Sequence, residues 1–221
     1  MHLFRDMEKL KSQVLPVCTR VEENIHRALQ LVEKSNPEMI KDLLRVEREI
    51  DLAEIEIEEE CLKILALHQP VAKDLRYVVA ILKINNDLER MGDMCVHVME
   101  RLEFVNRELS RPYVSRLLDC GQKVKQMVRL SLDCFIHLDR KLAETVQSMD
   151  DEVDTQYKTF SDDMKKAIKL QPDELDTWIN LMFVSKQLER IADHSTNVVE
   201  DVLYLLDGEI VRHHGPAHLS L

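Results

Sequence analysis

Two stretches of this chain, 100 residues apart, carry the same apolar stripe. Ile81, Ile84, Leu88, Met91, Cys95, Val98 and Leu102 follow a 3-4 spacing, and Leu181, Val184, Leu188, Ile191, Ser195, Val198 and Val202 repeat it. Such a spacing is one face of an α-helix, and a seam this long packs antiparallel helices at shallow angles, knobs into holes. A second pair of stripes, Leu43, Val46, Ile50, Ala53 and Ile57 against Val146, Met149, Val153, Gln156 and Phe160, recurs at an offset of 103. This period belongs to a duplicated domain, not to a short solenoid repeat.

Turn signals are scarce, with four Gly and six Pro in 221 residues, so they parse the chain. Breaks fall at Ser35-Asn36-Pro37-Glu38, His68-Gln69-Pro70, Ser110-Arg111-Pro112 and Gln171-Pro172-Asp173, and Asp207-Gly208 ends the last helix. One more break is required in the second half, and it is expected between Ala143 and Met149. The expected fold is therefore all-α, with six long helices in two tandem, duplicated three-helix bundles. The first bundle spans 1–109 and the second 110–207, followed by a flexible tail, 208–221. The third helix, from about Val71 to Arg107, would be about 55 Å long.

Acidic residues outnumber basic ones, 41 to 30, for a net charge of -11. That balance argues against nucleic acid as a partner and suits a cation-binding surface. The five cysteines, Cys18, Cys61, Cys95, Cys120 and Cys134, are scattered, odd in number and form no C-x-x-C. They read as reduced, buried side chains of a cytoplasmic protein. The N-terminus lacks the apolar run of a signal peptide, and no segment approaches the ~20 apolar residues of a membrane span. Contact with a membrane is expected only through a membrane complex.

Carboxylates recur at i,i+4 beside the seams. Glu47 and Asp51 lie on the second helix, Glu89 and Asp93 on the third, Asp150 and Asp154 on the fifth, and Glu189 and Asp193 on the sixth. Each pair shares one helix face, and its first member follows a seam residue: Val46, Leu88, Met149 or Leu188. A single such pair is ordinary on an acid-rich helix, as Glu54 and Glu58 illustrate. Recurrence at one phase, in both helix types and both repeats, predicts two clusters of four carboxylates. Like charges so gathered call for a cation or a shared proton, and an all-oxygen donor set favours hard ions such as Mg²⁺, Mn²⁺, Ca²⁺ or Fe³⁺.

Other candidates carry less. Glu23-x-x-His26 has di-iron ligand spacing but lacks the second copy that such bundles need. His97 and Asn197 follow Asp93 and Asp193 by one turn and read as surface polar residues that could also line a cluster's edge. His213, His214 and His218 lie in the tail. There is no phosphate loop, nucleophile elbow or Cys/His dyad, so no enzyme is expected.

His68-Gln-Pro-Val-Ala-Lys-Asp-Leu-Arg76 followed by Leu82-Lys-Ile-Asn-Asn-Asp-Leu-Glu-Arg-Met-Gly-Asp93 closely resembles the PhoU family of phosphate-signalling regulators. The second repeat matches less fully, through Gln171-Pro172 and Gln187-Leu-Glu-Arg-Ile-Ala-Asp-His-Ser-Thr-Asn197, and the resemblance covers about residues 10 to 207. It implies surface sites for iron or zinc, with Mg or Mn as further possibilities, singly or as multinuclear clusters. The implied ligands are Glu47, Asp51, Glu89 and Asp93, then Asp150, Asp154, Glu189 and Asp193. It also implies a homodimeric negative regulator that links the phosphate ABC transporter's ATPase to a sensor histidine kinase, keeping phosphate-starvation genes off when phosphate is plentiful. A PhoU-like metal module serving a different transporter or sensor is the alternative. Where the first repeat has Asp74-Leu75-Arg76, the second has Asp176-Thr177-Trp178, so the arginine is lost. Trp178 is expected in the core or as an interface anchor.

Overall fold

The computed structural model describes residues 2–208. Its helices are α1 (His2–Glu33), α2 (Pro37–His68), α3 (Ala72–Arg101), α4 (Arg107–His137), α5 (Arg140–Leu170) and α6 (Leu175–Asp207). Short 3-10 turns at Leu102–Phe104 and Pro172–Glu174 complete the described secondary structure. The order is that of two three-helix units. The expectations placed on His213, His214 and His218, and on a flexible tail, lie outside the described residues beyond Gly208.

Two helix boundaries differ from the sequence reading. The third break lies at Val105-Asn106, not at Pro112, and α3 ends at Arg101 instead of Arg107. Asn106 is the missed signal, because its side chain accepts hydrogen bonds from the Glu108 and Leu109 amides and so caps α4. Pro112 falls inside α4, as Pro16 falls inside α1. The other break lies at Leu138-Asp139, ahead of the expected Ala143–Met149. Asp139 caps α5 through the Lys141 amide, while Leu138 takes the left-handed conformation (φ 52°) that a glycine would ordinarily mark. Asn36 caps α2 in the same manner as Asn106, with Pro37 at the first helical position.

The seams point inward as the 3-4 spacing requires. Ile81, Ile84, Leu88, Met91, Cys95 and Val98 are buried on α3, and Leu181, Val184, Leu188, Ile191, Ser195, Val198 and Val202 on α6. Both helices also carry a second buried stripe, because α3 and α6 pack against each other along their length. They run antiparallel. Lys83 pairs with Asp201 at 2.9 Å, Asp87 accepts from Asn197 at 3.2 Å, and the Arg101 guanidinium lies 4.9 Å from the Phe183 ring centroid. Ala80 and Met94 share a heptad position with Asp87 and Arg101 and are fully buried. The apolar interior is therefore one continuous core drawing on all six helices.

The scattered cysteines are all free and buried. Trp178 is a core residue: it meets Tyr113 edge-on at 5.6 Å and donates its indole N–H to the Gln171 carbonyl. Arg76, which has no counterpart in the second repeat, lies against Gly208 at the C-terminal end of α6. Among the described residues, no helix is long and apolar enough to cross a membrane.

Candidate metal centres

Helices α2 and α3 form one edge, and α5 and α6 the corresponding edge of the second repeat. In the first edge Glu47, Asp51 and Asp93 bring carboxylate oxygens within 4.8 Å of one another. Gly92 lies against Ile50 here, where a Cβ would stand 3.3 Å from the Ile50 Cδ1, and the second repeat has Ala192 at this position. In the second edge Asp154, Glu189 and Asp193 converge to the same spacing. Of the four carboxylates expected at each edge, three meet.

The odd one out differs between repeats. Glu89 stays beside the first cluster, with its Oε2 buried and without a hydrogen-bond partner. Burial raises the Glu89 pKa, and the charge of Asp93 adds to this effect. Asp150 stays beside the second cluster. It stands where the first repeat has Glu47, and its side chain is one methylene shorter.

Crowded carboxylates hold protons more tightly. Burial, and then the charges of Asp51 and Asp93, raise the Glu47 pKa. Burial and Asp93 raise that of Asp51. Asp193 is exposed by area, but the atoms packed beside its carboxyl and the charge of Glu189 push its pKa up. Asp150 is raised to about 6 by burial, reinforced by Asp193 and Asp154. A carboxylate whose folded pKa is raised favours the folded state most when protonated, so this stabilisation fades as pH rises through about 6. Asp150→Asn is therefore expected to stabilise the metal-free protein at neutral pH by on the order of 1–2 kcal/mol, discounted for partial exposure. Urea denaturation in chelator at acid and neutral pH checks this, and a pH dependence as steep as that of the wild type would contradict it.

Three hard oxygen donors with a fourth carboxylate in reserve suit an octahedral or larger coordination shell completed by water. Glu89, whose Oε2 lies 3.6 Å from the Arg90 Nε, is a further donor beside the first site. Sequence reasoning missed the cations at the second edge, although an offset of 100 would have exposed one of them. Lys186, where the first repeat has Asn86, places Nζ 2.5 Å from Glu189 Oε1 and also bonds Oε2. Lys158 reaches Asp154 at 3.1 Å.

The remaining candidates lie elsewhere. His26 faces Lys125 while Glu23 pairs with Arg27, so these two do not share a ligand geometry. Asn197 belongs to the α3–α6 contact, where Asp87 also takes His194 at 2.7 Å. His97 is an exposed residue of α3.

The fold and these edges define a duplicated all-helical protein with paired carboxylate clusters on its surface. The PhoU domain pattern matches residues 14–102 and again 117–202, and the chain belongs to the PhoU family. It is 38% identical over 96% of both chains to the phosphate-specific transport system accessory protein PhoU homolog of Aquifex aeolicus. Among solved structures, PhoU from Pseudomonas aeruginosa superimposes with a TM-score of 0.86 at 31% identity, covering 93% of this chain and 99% of that one. The phosphate transport system regulatory protein PhoU from Streptococcus pneumoniae gives 0.84 at 25% identity, covering 95% and 99%.

Proposed function

We propose that this protein is a negative regulator of phosphate uptake and of the phosphate-starvation response. It acts in the cytosol as a non-enzymatic adaptor between a phosphate ABC transporter's ATPase and a sensor histidine kinase, and it carries metal ions at its two carboxylate edges. The observation that carries the reading is the double match to PhoU across nearly the whole chain, supported by relatives named for the phosphate transport system. The metal assignment is supported by three oxygen donors within 4.8 Å at each edge, two of them, Asp51/Asp154 and Asp93/Asp193, at matched positions of the repeats. A homodimer is part of the proposal. Leu52, Ile55 and Leu62 leave an exposed apolar stripe on the outer face of α2 that a second copy can cover.

Deleting the gene is expected to make phosphate-starvation genes constitutive in phosphate-rich medium. Repression that persists in the deletion strain, alongside altered uptake of another ion, would instead favour service to a different transporter.

A further inference from the structure

The two carboxylate edges are equivalent in register but differ in how closely cations are held to them. Three substitutions between the repeats make the second edge more positive, against one, Arg48 to Asp151, that runs the other way. Lys186 stands where the first repeat has Asn86, Lys158 where it has Ile55, and Tyr157 where it has Glu54. The two lysines are engaged. Lys186 spans both oxygens of Glu189, with its ammonium 5.1 Å from the Tyr157 ring centroid, and Lys158 holds Asp154. Two of the three ligands in the second cluster are thus already neutralised by tethered ammonium groups. In the first cluster the nearest cation is Arg90, half exposed at the rim and 3.6 Å from both Asp93 and Glu89. There Glu54 adds negative charge beside Glu89.

A divalent ion ligated by Glu189 and the Lys186 ammonium are like charges competing for the same carboxylate. The Lys186 ammonium takes a lone pair on each Glu189 oxygen and its charge opposes an incoming cation, and Glu189 is only 8% exposed, so little water is present to screen that competition. Resting on the metal reading above, we infer that Lys186 is a built-in competitor for the second site. The first edge takes a divalent cation directly, whereas the second takes one only by expelling the Lys186 side chain. The protein thereby has one ready site and one gated site, and the gate is a single rotatable side chain.

Mn²⁺ titration of the full chain, with free ion counted by electron paramagnetic resonance, tests this. The wild type is expected to show one tight class of sites. Lys186→Asn, which imports the first repeat's own residue, is expected to add a second class, at least roughly tenfold tighter than any second-site binding in the wild type. Asn86→Lys is expected to abolish the tight class. Melting in chelator supplies a metal-independent arm: Lys186→Asn should lower the melting temperature and Asn86→Lys should raise it. Two equal classes in the wild type, unchanged by Lys186→Asn, would overturn the gate while leaving the metal reading intact. Melting temperatures that do not move would also overturn it. Absence of Mn²⁺ binding in all three proteins would overturn the metal reading itself, and the gate with it.

Discussion

Changing Glu47, Asp51 and Asp93 together to their amides is expected to abolish the proposed metal binding at the first edge and to leave the helices in place. These are the oxygens that meet within 4.8 Å, and the side chains are half-buried at the bundle surface, not part of its core. An amide keeps the shape and one acceptor oxygen but loses the charge that binds a hard cation. The same change removes repulsion that raises the Glu47 and Asp51 pKa values. The metal-free variant should therefore be at least as stable as the metal-free wild type. Metal analysis of purified protein, with circular dichroism as the folding control, reads both effects. Metal retained at the wild-type level by a folded variant would refute the ligand assignment.

The second large effect concerns separation of the repeats. A fragment ending at the Val105-Asn106 break retains α1, α2 and α3 but strips α6 from the second stripe of α3. Ala80 and Met94 would become solvated, and Asp87 would lose His194 and Asn197. Removing two apolar contacts of this kind together with a half-buried polar network is worth several kcal/mol, against a total stability for a small domain of about 5–15 kcal/mol. Loss of the α1–α4 contact, where Leu29 lies over Gly121, adds to that. The isolated repeat is expected to melt far below the full chain with a broad transition. A sharp transition at the full-chain temperature would mean that α3 is content with one covered face.

The legibility of this molecule follows its physics. The seams could be read because each is a long, strict helical period, and the carboxylate pairs because i,i+4 fixes a shared face. The α3–α6 stripe could not be read. It is built from Ala80, Asp87 and Met94 on one helix and from Asn197 and Asp201 on the other, so a polar contact between repeats resembles a solvated face until the partner helix is in place. The two misplaced breaks have a similar origin. Asn106 and Asp139 cap helices without a neighbouring Pro or Gly, while Pro112 sits in a helix that accommodates it. At the carboxylate edges the sequence could pair residues by helix face but could not say which three would meet. That outcome depends on side-chain reach and on the lysines that claim Glu189 and Asp154.

The antiparallel pairing of α3 with α6 has a mechanical consequence. Lys83 lies level with Asp201, Asp87 with Asn197 and Arg101 with Phe183, so the midpoint about which the repeats are related falls near Gly92 and Ala192. Glu89 and Asp93, and Glu189 and Asp193, flank that midpoint within one turn. If the repeats rock against each other, this level is the fulcrum and the far ends of the bundles are the tips of two levers. Ions seated there would stiffen the pivot while moving little themselves, and the displacement would be delivered at the ends.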